Sequence, residues 1–238
     1  MTRRAPPPPA APAIPPGTTA WYGKLPARGD FVSQGFSASQ IRAWDGWLQQ
    51  GLRRASQRWP AAELDRRLQA FPAWRYLAWP AGAANAPWAG VVVPSHDRVG
   101  RAFPLTVAEL LDAASLPRLS WPDIEAALAR MADVALDAVD ITDPQAEEGF
   151  ESVLLGLGPV FAPARVAARV AMRVEAPPGT EAARPQQSPL DLLRSSPGTL
   201  SLWWSEPVPG ATPLPLGDSW PPHAELLLDI LHRPGDAD

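Results

Sequence analysis

Hydrophobic and polar positions along the 238-residue chain fall into two recurring periods. Ile41, Trp44, Leu48, Leu52 and Ala55 recur at steps of three and four, the spacing of one helix face, while Arg42, Gln49, Arg53 and Gln57 fall elsewhere. Ser37, with Gln40 three residues on, has capping-box spacing and sets the start of that helix. A second short helix is expected over 61–70, after Pro60. Residues 121–139 repeat the helical pattern through Ile124, Leu128, Met131, Ala135 and Val139, with Ser120 as cap and Pro122 in the first turn. A further helix runs from near Pro144 to about Leu155, placing Glu147 and Glu148 where the helix dipole favours them. The last is expected over 222–231.

Strand-like runs lie between these helices. They cover 18–25, 74–79 (WRYLAW), 88–93 (WAGVVV), a run from Phe103 (FPLTVAEL), 199–205 (TLSLWWS) and a further one near 214–216. The unbroken apolar run at 88–93 predicts a central strand covered on both faces. Trp203 and Trp204, adjacent on one strand, must point to opposite faces. One of the pair packs under helices on the other side of the sheet, the favoured reading, or is exposed as an interaction anchor. Most of Trp44, Trp47, Trp74, Trp79 and Trp88 are expected in the core. Strands interspersed with helices imply an α/β fold, a single-domain sandwich over 18–235 with a mixed sheet covered by helices. Residues 1–17, with seven prolines within 6–16, read as a disordered Pro-rich tail. A variable insert is expected around 157–195. There Arg165, Arg169 and Arg173 keep helical spacing, 176–188 reads as an exposed loop and 189–194 as a short helix.

Composition narrows the chemistry. No cysteine is present, which excludes a disulfide scaffold, a thiol nucleophile and thiolate metal sites. Three scattered histidines argue against an all-protein zinc site. The 21 residues between Arg75 and Asp97 carry no formal charge. Pro80, Gly82, Pro87, Gly90 and Pro94 would break a spanning helix there. Arg3-Arg4 leads into prolines rather than an apolar stretch, so no signal peptide is expected, nor membrane insertion, and a cytoplasmic location is. The net charge of −4 conceals an asymmetry: residues 1–101 hold 13 basic and 5 acidic side chains, and the remainder 8 and 20. The arginines of the first part are interleaved with a helical apolar pattern, unlike a nucleic-acid-binding tail. Nine carboxylates between Asp123 and Glu151 lack calcium-loop spacing and read as a solvated helical face.

Two polar segments carry the candidate site. Gly23-Lys24-Leu25-Pro26-Ala27-Arg28-Gly29-Asp30-Phe31 is a strand feeding a basic turn that can cradle an anion. It has neither the GxxxxGK[ST] nor the GxGxxG order of a nucleotide site. Lys24 is the single lysine beside 20 arginines, a sign that arginine does not substitute there. The second segment, 94–103, holds Ser95, His96, Asp97, Arg98 and Arg101. Three consecutive residues cannot face one another as a nucleophilic triad, and no GxSxG occurs, so catalysis and cofactors are not expected. Asp97, Arg98 and Arg101 read instead as a loop-fixing ion-pair network or a contact surface.

GKLPARGDF (23–31), WDGWL (44–48), Trp74-Arg75, PWAGVVVPSHDRVGRAFPLT (87–106) and SLWW (201–204), in this order, resemble the TagF family, also called ImpM, accessory proteins of the bacterial type VI secretion system. The likeness is close over roughly 20–110 and looser at SLWW and the last helix. It implies a cytoplasmic α/β sandwich without known catalytic activity. Its members regulate assembly of the apparatus post-translationally, mostly as repressors. They act through a forkhead-associated scaffold protein, alongside or fused to a phosphatase. The polar positions within these motifs are Lys24, Arg28, Asp30, Ser95, Asp97, Arg98 and Arg101, the candidate partner- or anion-binding residues. The alternative to a scaffold-binding module is an anion- or phosphopeptide-sensing domain built on loops 23–31 and 94–103.

Overall fold

The computed structural model describes residues 15–79, 87–112, 119–143, 147–161, 200–205 and 216–232. Seven strands form one sheet: β1 (Thr19–Gly23), β2 (Val32–Gln34), β3 (Trp74–Ala78), β4 (Trp88–Val93), β5 (Leu105–Leu110), β6 (Leu200–Ser205) and β7 (Leu216–Ser219). Their order across the sheet is β2-β1-β5-β4-β3-β6-β7. Every named pair is antiparallel, where a mixed sheet was expected. The expectation of parallel pairs came from counting helices between strands. Here β3, β4 and β5 follow one another without an intervening described helix, so the chain reverses at each step.

Helices cover both faces, which makes the molecule an α/β sandwich. On one face lie α1 (Ala38–Arg58), α2 (Ala61–Leu68) and α5 (Ala224–Leu231); on the other lie α3 (Trp121–Asp140) and α4 (Glu147–Gly156). Helix α1 starts where its capping box predicts: the Gln40 N–H donates to Ser37 Oγ at 3.3 Å, and the Ser37 N–H donates to Gln40 Oε1 at 2.8 Å. Helix α3 is capped in the same way by Ser120 and Asp123, with Pro122 in its first turn. Strand β4 is central and buried at all six positions, as its unbroken apolar run implies. Alternate residues on each strand then feed two cores. Val91, Val107, Leu202 and Trp204 meet α3 and α4, while Tyr76, Val92, Ala108 and Trp203 meet α1 and α5. Trp203 and Trp204 are thus both buried, on opposite faces.

Two strands differ from expectation. β2 matches no expected element, and β7 lies at Leu216–Ser219 rather than 214–216. Residues 1–14 of the Pro-rich tail, and the helix and loop expected over 162–195, lie outside the described residues.

Candidate functional site

The site grows from the end of β1. A Cβ on Gly23 would stand 2.3 Å from the Pro104 carbonyl oxygen, so only glycine lets β1 pass this close to the chain entering β5. The next residue, Lys24, turns inward. The opposing segment folds as a small hairpin: His96 bridges Ala102, the Phe103 N–H donates to Ser95 O at 2.9 Å and the Asp97 N–H to Arg101 O at 3.2 Å. Asp97, Arg98, Val99 and Gly100 make its turn, closed by the Gly100 N–H on Asp97 O at 2.8 Å. Gly100 has φ +82, the left-handed conformation that ends such a turn.

Asp97 joins the two segments. Its Oδ2 accepts from Lys24 Nζ at 3.0 Å and from Arg101 Nε at 2.6 Å. Its Oδ1 accepts from the backbone N–H groups of Val99 and Arg101 at 3.1 and 3.0 Å. Lys24 is 8% exposed and Asp97 0%. Burial alone would push the Asp97 carboxyl up. The hydrogen bonds from the Arg101 backbone, Lys24, the Arg101 side chain and the Val99 backbone outweigh it and hold the group well below the usual carboxylate range. Further bonds lock the loops together: Ser95 Oγ donates to Lys24 O at 2.6 Å, the Arg98 N–H to Arg28 O at 2.8 Å and Arg101 Nη2 to Gly29 O at 3.3 Å. The Lys24 ammonium also lies 5.3 Å from the centre of the Phe31 ring.

Of the seven residues singled out in the sequence, Lys24, Ser95, Asp97 and Arg101 therefore meet in one cluster. Arg28 lies against the Phe150 ring at 5.3 Å and 3.6 Å from a Glu151 oxygen, tying its loop to α4. Asp30 is exposed and accepts from its neighbour's N–H, Phe31, at 2.8 Å. Arg98 joins the network only through its backbone; its exposed guanidinium pairs with no carboxylate among the described residues. Ser95 gives its hydroxyl proton to a backbone carbonyl rather than to a histidine.

Residues the charged pattern did not reveal complete the surface. Phe31 is 43% exposed, although its ring stacks on Tyr22 and meets Phe103 edge-on at 4.8 Å. Val99, at the hairpin tip, is 70% exposed. The motif's final phenylalanine and an apolar residue inside a polar turn were the available cues. An open groove of about 570 Å³ runs beside them, lined by Arg28, Phe31, Ser33, Gln34, Arg98 and Glu151 among others.

Residues 20–150 match the sequence model of the TagF N-terminal domain, described as type VI secretion system-associated. The chain belongs to the TagF family. The crystal structure of PA0076 from Pseudomonas aeruginosa PAO1 is similar over 93% of this chain and 97% of its own, with 27% identity and a TM-score of 0.62. No curated protein matches the sequence. The TagF match runs from the second residue of β1 past β5, and so takes in both loops of the site. No described helix is long and apolar enough to cross a membrane.

Proposed function

We propose that this type VI secretion system-associated protein is a non-catalytic cytoplasmic regulator. It docks a forkhead-associated scaffold protein through the rim formed by residues 26–31 and 95–102, and so represses assembly of the apparatus. One observation carries the reading. The buried Lys24–Asp97 pair fixes the two loops from beneath, while Arg98, Val99 and Phe31 stay displayed above it. A rigid platform that shows one cation, unpaired among the described residues, together with two exposed apolar side chains suits a protein partner, because little ordering entropy is lost on docking. It suits an anion sensor less well, since the Lys24 ammonium is already committed to Asp97.

The test is titration calorimetry of the full chain with the scaffold protein of its own secretion system. Arg98→Glu and Val99→Asp each weaken binding at least tenfold while the thermal melt stays within about 2 °C of the parent, the range of a neutral surface change. Unchanged affinity in both variants would remove the rim from the interface. Stabilisation of the parent by phosphopeptides instead would favour the sensor.

A further inference from the structure

The short strand beside the groove has an unmatched edge. Tyr22 and Ser33 stand opposite each other in the β1–β2 pair, and Tyr22 stands opposite Thr106 in the β1–β5 pair. The Leu110 N–H donates to Thr18 O, which fixes the ladder's phase. Counting two by two from Thr18, the backbone groups of Ala20 and Tyr22 face β5, and those of Trp21 and Gly23 face β2. Gln34 and Val32 therefore carry the bonds to β1, and the N–H and C=O of Ser33 point away from the sheet. β2 ends the strand order, so no described strand takes those groups.

Apart from its three-residue length, β2 carries none of the usual guards of an exposed edge. Val32, Ser33 and Gln34 include no lysine, no proline and no charge. The Phe31 N–H is already taken by Asp30, so the free donor is that of Ser33. Val32 packs against the core of the α3/α4 face, to which Trp21 belongs, so the groove opens on that side, with Arg28, Arg98 and Glu151 around it. Glu151 stands against Arg28, which leaves Arg98 as the cation without a described carboxylate.

We infer that β2 is a strand-addition site: an extended acidic segment of a partner protein pairs with the outward N–H and C=O of Ser33. A residue of that segment opposite Ser33 points to the α1 face. The residues on either side of it point into the groove, where Arg98 meets a carboxylate. Backbone bonds give the added strand its direction, and the arginine selects an acidic sequence. This inference rests on the docking rim proposed above and specifies how the partner is held.

The test uses the full chain and two capped nine-residue peptides that alternate valine with glutamate or valine with lysine. The valine–glutamate peptide slows hydrogen exchange of the Ser33 amide at least tenfold, and the valine–lysine peptide leaves it unchanged. Ser33→Pro removes the outward donor without touching a β1 bond, so it stays folded and binds the acidic peptide at least tenfold more weakly. Ser33→Ala keeps the donor and binds as the parent does. Unaltered exchange at Ser33, or parental binding by folded Ser33→Pro, overturns strand addition. Measured with the scaffold protein, the two readings separate. Loss of binding in Arg98→Glu but not in Ser33→Pro overturns strand addition and leaves the docking rim. No binding of the scaffold by the parent, with Ser33 still protected by the acidic peptide, overturns the scaffold as partner and supports the edge.

Discussion

Gly90 sits at the middle of the sheet, and adding one methyl group there tests the packing account directly. A Cβ at this position would stand 2.5 Å from both Cζ and Oη of Tyr76, and 2.7 Å from the Val107 carbonyl oxygen. None of these neighbours can move freely. The Tyr76 ring is fully buried, stacks on Trp203 at 4.8 Å and meets the edge of Trp44 at 5.3 Å. Its hydroxyl lies 3.0 Å from Thr106 Oγ1, and that group gives its own proton to Val91 O. Tyr76 must therefore be the donor of the pair. Val107 O belongs to β5, next to β4 in the sheet.

Gly90→Ala thus forces the tyrosine ring or two strands apart. Overpacking of this kind costs about 1–3 kcal/mol. If the ring moves, the bond to Thr106 is lost as well, worth about 1 kcal/mol. The expected destabilisation is about 2–4 kcal/mol, which lowers Tm by roughly 5–15 °C in a chain of this size. Urea unfolding followed by tryptophan fluorescence measures it. Tyr76→Phe supplies the internal control: it removes the Oη contact, so the double variant is less destabilised than the sum of the singles by about 0.5 kcal/mol or more. A Gly90→Ala protein within about 0.5 kcal/mol of the parent, or strict additivity with Tyr76→Phe, would refute the close approach of β4 to the Tyr76 ring.

Further outcomes follow from the same contacts. The Asp97 carboxyl is held below its ordinary value, so its contribution is complete above that value, near 4, and is lost as pH falls through the depressed one. Asp97→Asn is therefore less stable than the parent at pH 7, and the gap in Tm narrows below pH 4; a constant gap down to pH 2.5 contradicts the assignment. Ser37→Ala removes the side-chain acceptor of the α1 cap and costs about 1 kcal/mol, read as a lower urea midpoint with an unchanged slope. Lys24→Met frees the loop that leads into β2, so the amides of Val32 and Gln34 exchange faster while those of β4 do not. Equal acceleration in both strands would mean global destabilisation instead.

Much of the fold was legible because its signals are local. The capping box at Ser37 and Gln40 closes within one turn of helix, and six apolar residues in a row at Trp88–Val93 can only be satisfied by cover on both faces. β2 was not legible, since Val-Ser-Gln has no alternation and becomes a strand only by pairing with β1. β7 was legible only to within a few residues: the Asp218 side chain accepts from the N–H groups of Ser219 and His223, a polar local scaffold that hides the strand's end. In the site, charge and a lone lysine pointed to two loops that the structure brings together. The partner of Lys24 lies 73 residues away, and no spacing rule encodes such a pair. The exposure of Phe31 and Val99 was equally hidden, because it depends on what fails to cover them.

The reason for a buried ion pair at this place is geometric. Such pairs add little net stability over apolar residues of the same volume, since desolvation offsets most of the attraction. No apolar side chain, however, could do what Asp97 does with its two oxygens. One holds the backbone of its own turn through Val99 and Arg101, and the other reaches across to Lys24. The conformation of the hairpin is thereby coupled to the position of the β1–β2 loop. The tip bearing Arg98 and Val99 is set relative to the strand edge bearing Ser33, and Ser95 and the Arg98 N–H reinforce the same alignment from either side. A surface built only for solubility would not require two sequence-distant loops in fixed register. A surface that must present one cation beside one free backbone edge would.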